Sequence, residues 1–191
     1  QNGGRLLAFT YRFGDSFTHG NLGELLLALG CVLNDDAVLD LTRLRADHPL
    51  QAHFETPSEL LPLPWSQVGV RSVRWRPMAT FRLLPGAQVQ PLALSPGGRC
   101  ISFDRARRQI GFASQPVAVA GVVGRGRFAA FGGPHAFESG PFGLLGVADN
   151  AAFLRQVLRW LLSDEPLSSP PLPRPALAED MTRLPDGRTV A

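Results

Sequence analysis

The chain has 191 residues, of which 45% are hydrophobic and 18% are charged, and its formal net charge is +3. This composition is typical of a folded globular domain, and the length allows one core with an appendage. All 19 basic residues are arginines, in short groups rather than one stripe, so nucleic acid is not an expected partner. No run reaches 18 apolar residues and no secretory signal is present. We therefore expect no membrane span in this chain, and the cytoplasm is slightly favoured.

The first part of the chain predicts short strands around one helix. Residues 5–10 have the apolar character of a buried strand, and Asn21 is placed to cap a leucine-rich helix. Residues 31–41 predict a strand that is interrupted by an Asn-Asp-Asp turn. Prolines divide residues 43–77, where we expect loops and at most a short helix near residues 58–61.

The second part predicts a run of strands, then a helix and a tail. Residues 79–131 contain short strands separated by Gly and Pro turns, and Gly-Arg-Gly joins the last two. Residues 149–165 have the clearest helical pattern. Residues 165–191 are rich in proline, so we expect an extended segment after a domain of residues 1–164. Strand–helix alternation at both ends favours an α/β sheet with an inserted antiparallel meander.

The loop at residues 132–140, GGPHAFESG, follows the last predicted strand, where α/β proteins often hold ligands and reacting groups. It contains His135 and Glu138, which are candidates for an acid–base pair. No nucleophile accompanies them in the expected setting, because Cys31 follows a helix end instead of standing on a strand-to-helix elbow, and Ser139 lacks the GxSxG frame. The sequence therefore favours a buried structural thiol and a loop-stabilising histidine.

Metal and phosphate sites have no support in the sequence. Asp35, Asp36 and Asp40 lack the spacing of a calcium loop, and the histidines and cysteines lack paired zinc spacing. A P-loop cannot be completed without lysine, and the Gly-Arg-Gly turn is not followed by a helix. We therefore expect no metal and no cofactor.

Five stretches together resemble the GIFT domain, which is shared by bacterial gliding-motility-type transport proteins and a eukaryotic intraflagellar-transport subunit. They are GGRLLAFTYRFGDS, ELLLALGCVLNDDAVLDL, PVAVAGVVGRGRFAAFGGPHAFES, DNAAFLRQVLRWL and EDMTRLPD, in the family's order. The resemblance implies a fold like the class I glutamine amidotransferases, with a flavodoxin-like, mostly parallel sheet. In the family a βαβ portion precedes the strand at residues 5–10. The resemblance thus implies that this portion is missing here, and that residues 5–10 form an interior strand with one flank needing a partner.

The resemblance also implies that the amidotransferase chemistry is absent. Those enzymes carry His and Glu two residues apart after the final strand, whereas His135 and Glu138 are three apart and no elbow cysteine is present. The implied function is a non-catalytic protein-interaction or assembly domain of a bacterial-type protein. Its partner would be another protein or the missing N-terminal portion, and homo-oligomerisation stays open.

Two alternatives stay open. One is a hydrolase or amidotransferase-like enzyme that uses His135 and Glu138, and a hydroxyl, thiol or water-binding pocket within reach of His135 would support it. The other is a glycan- or small-ligand-binding module. Its crevice would contain Gly132, Gly133, His135, Glu138 and Ser139. Docking residues for a protein partner are expected near the C-terminus, at Arg174, Met181 and Leu184.

Overall fold

The computed structural model describes residues 3–40, 54–57, 70–96, 100–106, 108–111, 114–141 and 143–164. The possible helix near residues 58–61 and the proline-rich segment with Arg174, Met181 and Leu184 lie outside the described residues. No helix in the described ranges is both long enough and apolar enough to cross a membrane.

The described residues form eleven strands and three helices. In chain order they are β1 (Arg5–Phe9), α1 (Gly14–Thr18), α2 (Leu22–Ala28), β2 (Cys31–Leu33), β3 (Ala37–Asp40), β4 (Phe54–Pro57), β5 (Ser72–Trp75), β6 (Phe81–Leu83), β7 (Val89–Leu94), β8 (Cys100–Phe103), β9 (Gln109–Gly111), β10 (Pro116–Val123), β11 (Gly126–Phe131) and α3 (Asn150–Leu162).

The largest sheet has four strands in the order β1-β11-β10-β7. β10 and β11 form the hairpin that the sequence predicts, with Gly124 at φ 58° in its turn. This backbone region favours glycine because a side chain would be strained there. Every described residue from Val117 to Gly121, and from Arg127 to Phe131, is buried. The hairpin is therefore the centre of the fold.

The flavodoxin-like, mostly parallel α/β arrangement implied by the family resemblance is wrong. Among the described strands only β1 and β11 pair in parallel, and the other pairs are antiparallel in four separate sheets. Parallel neighbours need crossovers of a dozen or more residues, usually helical, whereas tight turns suffice for antiparallel neighbours. The described chain has few helices and many short connections. It is mostly β, in mixed and antiparallel sheets.

Within the described residues the strand at residues 5–10 lies at an edge and not in the interior of the sheet, with one flank paired and the other open to a partner. β11 bonds to one side of β1, with Leu7 opposite Ala129. No described strand lies along its other side. Leu6 and Leu7 are half-buried and Phe9 is 38% exposed. This edge is thus partly apolar and unpaired within the described residues.

The main sheet has a hydrophobic core on each face. Alternate β1 residues contribute to different cores, with Leu7 in one and Ala8 in the other, because successive side chains of a strand point to opposite faces. The first core includes buried side chains of α3 and β5, among them Phe153 and Trp75. The second includes Leu26 of α2 and residues of β2 and β6.

The helix α3 confirms the helix predicted at residues 149–165, but its first residues act differently from ordinary caps. Asp149 is the N-cap by position, yet its carboxylate accepts hydrogen bonds from the backbone N–H groups of Arg71 and Ser72. Asn150 is fully buried, and its amide bonds to both backbone groups of Arg74. These polar side chains fasten α3 to the strand β5.

Candidate functional site

Two loops meet at the carboxyl ends of β1 and β11. Because these strands are parallel neighbours, the chain leaves both of them at the same edge of the sheet. Tyr11 lies two residues after β1 and His135 lies four residues after β11. The His135 Nε2 atom and the Tyr11 hydroxyl are 3.0 Å apart, and the two rings meet edge to face. A hydroxyl therefore lies within hydrogen-bond reach of His135.

Glu138 completes a chain of three polar groups. Its Oε2 atom lies 2.6 Å from Nδ1 of His135. An ionised carboxylate can only accept, so Nδ1 donates to Glu138, and Nε2 shares the second hydrogen bond with the Tyr11 hydroxyl, which can both donate and accept. The side chains of His135 and Glu138 are 22% and 44% exposed. The three groups thus form an ordered relay that opens to solvent at Glu138.

His135 also lines a narrow crevice with about 160 Å³ of empty space, part of it open to solvent. The walls leave no room between them for a water-sized sphere, so the space is a slit and not a chamber. Its lining consists of Trp75, Arg76, Pro77, Met78, Gly133, His135 and Ala136. A sugar ring or a metabolite does not fit inside this slit without movement of its walls.

Arg76 is the unsatisfied group of the crevice. It is half-buried, and its Nε atom is buried without a hydrogen-bond partner. The guanidinium makes no hydrogen bond or ion pair with any residue of the described ranges. Buried polar groups in proteins nearly always have a partner, so a buried N–H without one calls for a specific explanation.

The loop that carries His135 is rigidly held. The Ala136 carbonyl accepts from the Asn150 amide at 2.9 Å, and the His135 carbonyl accepts from the Leu144 N–H at 2.8 Å. Phe137 packs against four aromatic rings. These are Phe9, Trp75, Phe131 and Phe153. The position of His135 is therefore set by the core and does not depend on the polar relay alone.

The residues of the predicted ligand crevice have different surroundings. Gly133 and His135 line the slit, and Glu138 bonds to His135. Gly132 is buried against the backbone of Ala79, where a Cβ atom would lie 1.8 Å from the carbonyl oxygen. Its glycine is explained by that close approach. Ser139 is exposed and is not part of the lining.

Sequence reasoning missed two residues of the site. Tyr11 stands in a predicted loop, and only the parallel pairing of β1 with β11 brings it to His135. Arg76 stands in one of the short arginine groups of the sequence, together with Arg71 and Arg74, and such a group is weak evidence for any ligand. One feature of the sequence points to Arg76. It directly follows Trp75, and because tryptophan usually packs in a core, its neighbour in the chain is expected close to that core.

Cys31 is a structural thiol, as predicted. It is the first residue of β2 and is fully buried, and burial raises its pKa to about 11. A thiol with a raised pKa has little of the thiolate that acts as a nucleophile. Cys31 therefore does not supply the nucleophile that His135 and Glu138 would need.

The turn at residues 34–36 has a structural role as well. Asp36 is buried, and its two carboxylate oxygens accept from the backbone N–H and the hydroxyl of Thr80 at 2.8 and 2.6 Å. Burial raises the pKa of Asp36, and the hydrogen bonds from Thr80 partly oppose that rise. No group of three or more His, Cys, Asp or Glu side chains in the described ranges could hold a metal.

No protein-family model matches this chain, and no curated protein matches its sequence. Its fold is similar to a solved structure described as the mmIFT52 N-terminal domain, with a TM-score of 0.63 and 19% sequence identity over 84% of this chain. The chain spans 66% of the length of that structure. At this identity the likeness shows a shared fold alone, and it supports the GIFT-type resemblance only loosely.

Proposed function

We propose that this chain is a non-catalytic protein-interaction domain that contributes to a larger assembly. The observation that carries the proposal is the outer edge of β1, along which no strand of the described residues lies. The fold likeness to the mmIFT52 N-terminal domain is consistent with an assembly role. The partner is a protein that adds an extended strand to this edge.

The backbone of β1 is arranged for strand addition. The N–H of Thr10 donates to the Phe131 carbonyl, and the Gly4 carbonyl accepts from the Arg127 N–H. Hydrogen-bonding groups alternate in direction along a strand, so residues 4, 6, 8 and 10 face β11. The backbone groups of residues 5, 7 and 9 consequently point to the open side. An added strand gains affinity from such main-chain bonds and specificity from the flanking side chains.

The edge also has apolar side chains for an added strand to cover. Phe9 is 38% exposed although it packs against Phe131 and Phe137. Proteins usually protect an exposed strand edge with prolines, bulges or charges, because it can pair with other chains. In β1 the charge is limited to Arg5 at its start.

The experiment compares two substitutions at Leu7. Leu7→Pro removes the outward N–H and leaves the ladder to β11 unbroken, whereas Leu7→Ala removes the same apolar side chain and keeps that N–H. Partners of the full-length protein are identified by mass spectrometry, and binding is then measured with the purified partner. We expect Leu7→Pro to lower the affinity about tenfold or more relative to Leu7→Ala, since several edge hydrogen bonds are disturbed.

Thermal unfolding of both variants establishes that they are folded. Equal affinity of the two folded variants would exclude the β1 edge as the binding surface. Light scattering on the purified chain tests whether a second copy occupies the edge. A concentration-dependent dimer that is lost in Leu7→Pro would contradict a different protein as its occupant.

A second candidate function is an enzyme that uses the relay of Tyr11, His135 and Glu138. The observation that favours it is the hydroxyl 3.0 Å from His135, which could take part in acid–base or nucleophilic chemistry. The narrow crevice argues against the enzyme candidate. A substrate must bring its reacting atom within about 3 Å of these groups, and the crevice has no room for a water-sized sphere.

The enzyme candidate is tested by turnover. The purified chain and His135→Ala are incubated with p-nitrophenyl esters and with glutamine, and release of nitrophenol or ammonia is followed. We expect the two proteins to give the same background rate. Turnover that is lost in a folded His135→Ala variant, and also in Tyr11→Phe, would establish the enzyme instead.

A further inference from the structure

Arg76 is a cation that the described fold brings to a crevice and leaves unpaired there. None of the residues that line the crevice carries a carboxylate, so no lining residue neutralises it. Its stem is partly covered while its Nε–H is hidden from solvent. A half-buried guanidinium without an acceptor is unfavourable, and an incoming anion would remove that penalty.

We propose that Arg76 anchors a carboxylate-binding subsite, in which an Asp or Glu side chain of a protein partner docks at the mouth of the crevice. The inference rests on the proposed interaction function and names the chemistry of the partner. Guanidinium groups bind carboxylates through paired N–H donors in a fixed plane. The Nε–H and one terminal N–H of Arg76 form such a pair.

The shape of the crevice favours a protruding side chain over a free ligand. The slit does not admit a water-sized sphere, so it cannot enclose a metabolite, and an anion reaches the hidden Nε–H of Arg76 only when a wall of the slit moves. A carboxylate on a partner's side chain meets this limit, because the partner's other contacts can offset the cost of moving the wall.

The first experiment observes the Arg76 Nε–H directly by 1H–15N NMR of the full 191-residue chain. Its signal is assigned by its loss in Arg76→Lys. The probes are N-acetyl-glutamate N-methylamide, the matching glutamine compound, sodium acetate, inorganic phosphate and sodium chloride at equal ionic strength. We expect the Nε–H signal to shift with the glutamate compound and acetate, and to stay unchanged with the glutamine compound and chloride.

Two patterns of chemical-shift change, and the absence of any change, would each overturn the subsite. One is an Nε–H signal that moves equally with the glutamate and glutamine compounds, which would indicate no charge recognition. The other is a larger shift with phosphate than with either carboxylate, which would indicate a general anion site. An unchanged signal at saturating solubility of the probes would also overturn it.

The second experiment places the subsite in the interaction. Arg76→Gln is compared with Arg71→Gln, which makes the same change in net charge at an exposed arginine outside the crevice. With the purified partner, we expect Arg76→Gln to weaken binding roughly tenfold and Arg71→Gln to change it less than about twofold, because a hydrogen-bonded charge pair is lost only in the first.

The two proposals fail in different ways. Loss of partner binding in Leu7→Pro with full binding in Arg76→Gln would overturn the subsite and leave the interaction function standing. A carboxylate-dependent Nε–H shift in a chain that binds no protein would sustain carboxylate recognition and overturn the interaction function. A partner whose binding survives neutralisation of its acidic side chains would overturn the carboxylate as the recognised group.

Discussion

The two ends of the β1–β11 pair hold their arginines in opposite ways. At the amino end, Arg127 is buried, donates to the Trp160 carbonyl at 2.9 Å and to the Ser163 hydroxyl at 3.3 Å, and lies over the Trp160 ring. At the carboxyl end, Arg76 is half-buried and has no polar partner within the described residues. Arg127 therefore joins two elements through its hydrogen bonds, whereas the Arg76 guanidinium joins none of the described elements.

This difference separates an arginine whose charge has partners inside the fold from one whose buried Nε–H has none among the described residues. Arg127 exchanges its hydration for a carbonyl, a hydroxyl and an aromatic face, which join β11 to the end of α3. Arg76 gives up part of its hydration and gains no bond in return. Removal of each guanidinium should therefore have unlike effects on stability, and that expectation can be tested directly.

The largest effect is expected for Arg127→Leu. It removes the donor from the buried Trp160 carbonyl together with the stacking on the Trp160 ring, so we expect a loss of about 2–4 kcal/mol in the free energy of unfolding. The matched change Arg76→Leu should cost less than about 0.5 kcal/mol or be stabilising, because it removes an unpaired, partly desolvated cation. Urea unfolding with linear extrapolation measures both.

The comparison fails if the two variants lose similar stability. In that case Arg76 would have to contribute through its packed stem, since long charged side chains also cover apolar surface. Arg76→Met keeps most of that stem, so recovery of stability in Arg76→Met would identify packing as the cause.

A smaller effect on stability is expected at Asp36, a buried carboxyl group that is hydrogen-bonded to Thr80. Burial raises its folded pKa above the ordinary value of 3.8, so the folded state holds the proton to higher pH than the unfolded state. Its contribution to stability is therefore largest below pH 3.8 and declines as the pH rises through the folded pKa. Asp36→Asn should lack this decline.

At neutral pH, Asp36→Asn should change the free energy of unfolding by no more than about 1 kcal/mol in either direction. The amide oxygen can still accept from the Thr80 N–H, while the charge-assisted bond to the Thr80 hydroxyl is lost and the burial cost of a charge is removed. Urea unfolding from pH 3 to pH 7 gives both profiles. Parallel profiles for the two proteins would contradict a raised pKa.

The local elements were predictable because each has a local cause. The tight turn of the β10–β11 hairpin uses Gly124, the helix α3 follows its apolar spacing, and Cys31 is the buried first residue of the short strand β2. The sheet order was not predictable in this way, because which strands pair depends on contacts far apart in sequence. The pairing of β1 with β11 joins residues more than one hundred positions apart.

The site shows the same division. His135 and Glu138 are three residues apart, so their contact could be anticipated from the loop sequence. Tyr11 is 124 residues from His135, and nothing local links them. Arg76 is recognisable as unsatisfied only after its neighbours are known. Absence of a partner is a property of the folded surroundings, which a single sequence does not display.

Small effects on stability are also expected for substitutions within the relay of Tyr11, His135 and Glu138. Tyr11→Phe removes the hydroxyl bonded to His135 and keeps the ring, and Glu138→Gln removes the charge bonded to the other nitrogen. Each should cost about 0.5–1 kcal/mol or less, because the relay is partly exposed and Phe137 and Asn150 hold its loop independently. If the two substitutions act through one imidazole, their effects in a double-mutant cycle will not add. Strict additivity, measured by urea unfolding, would mean that Tyr11 and Glu138 contact His135 without communicating through it, and that the carboxyl end of the pair is a set of separate contacts.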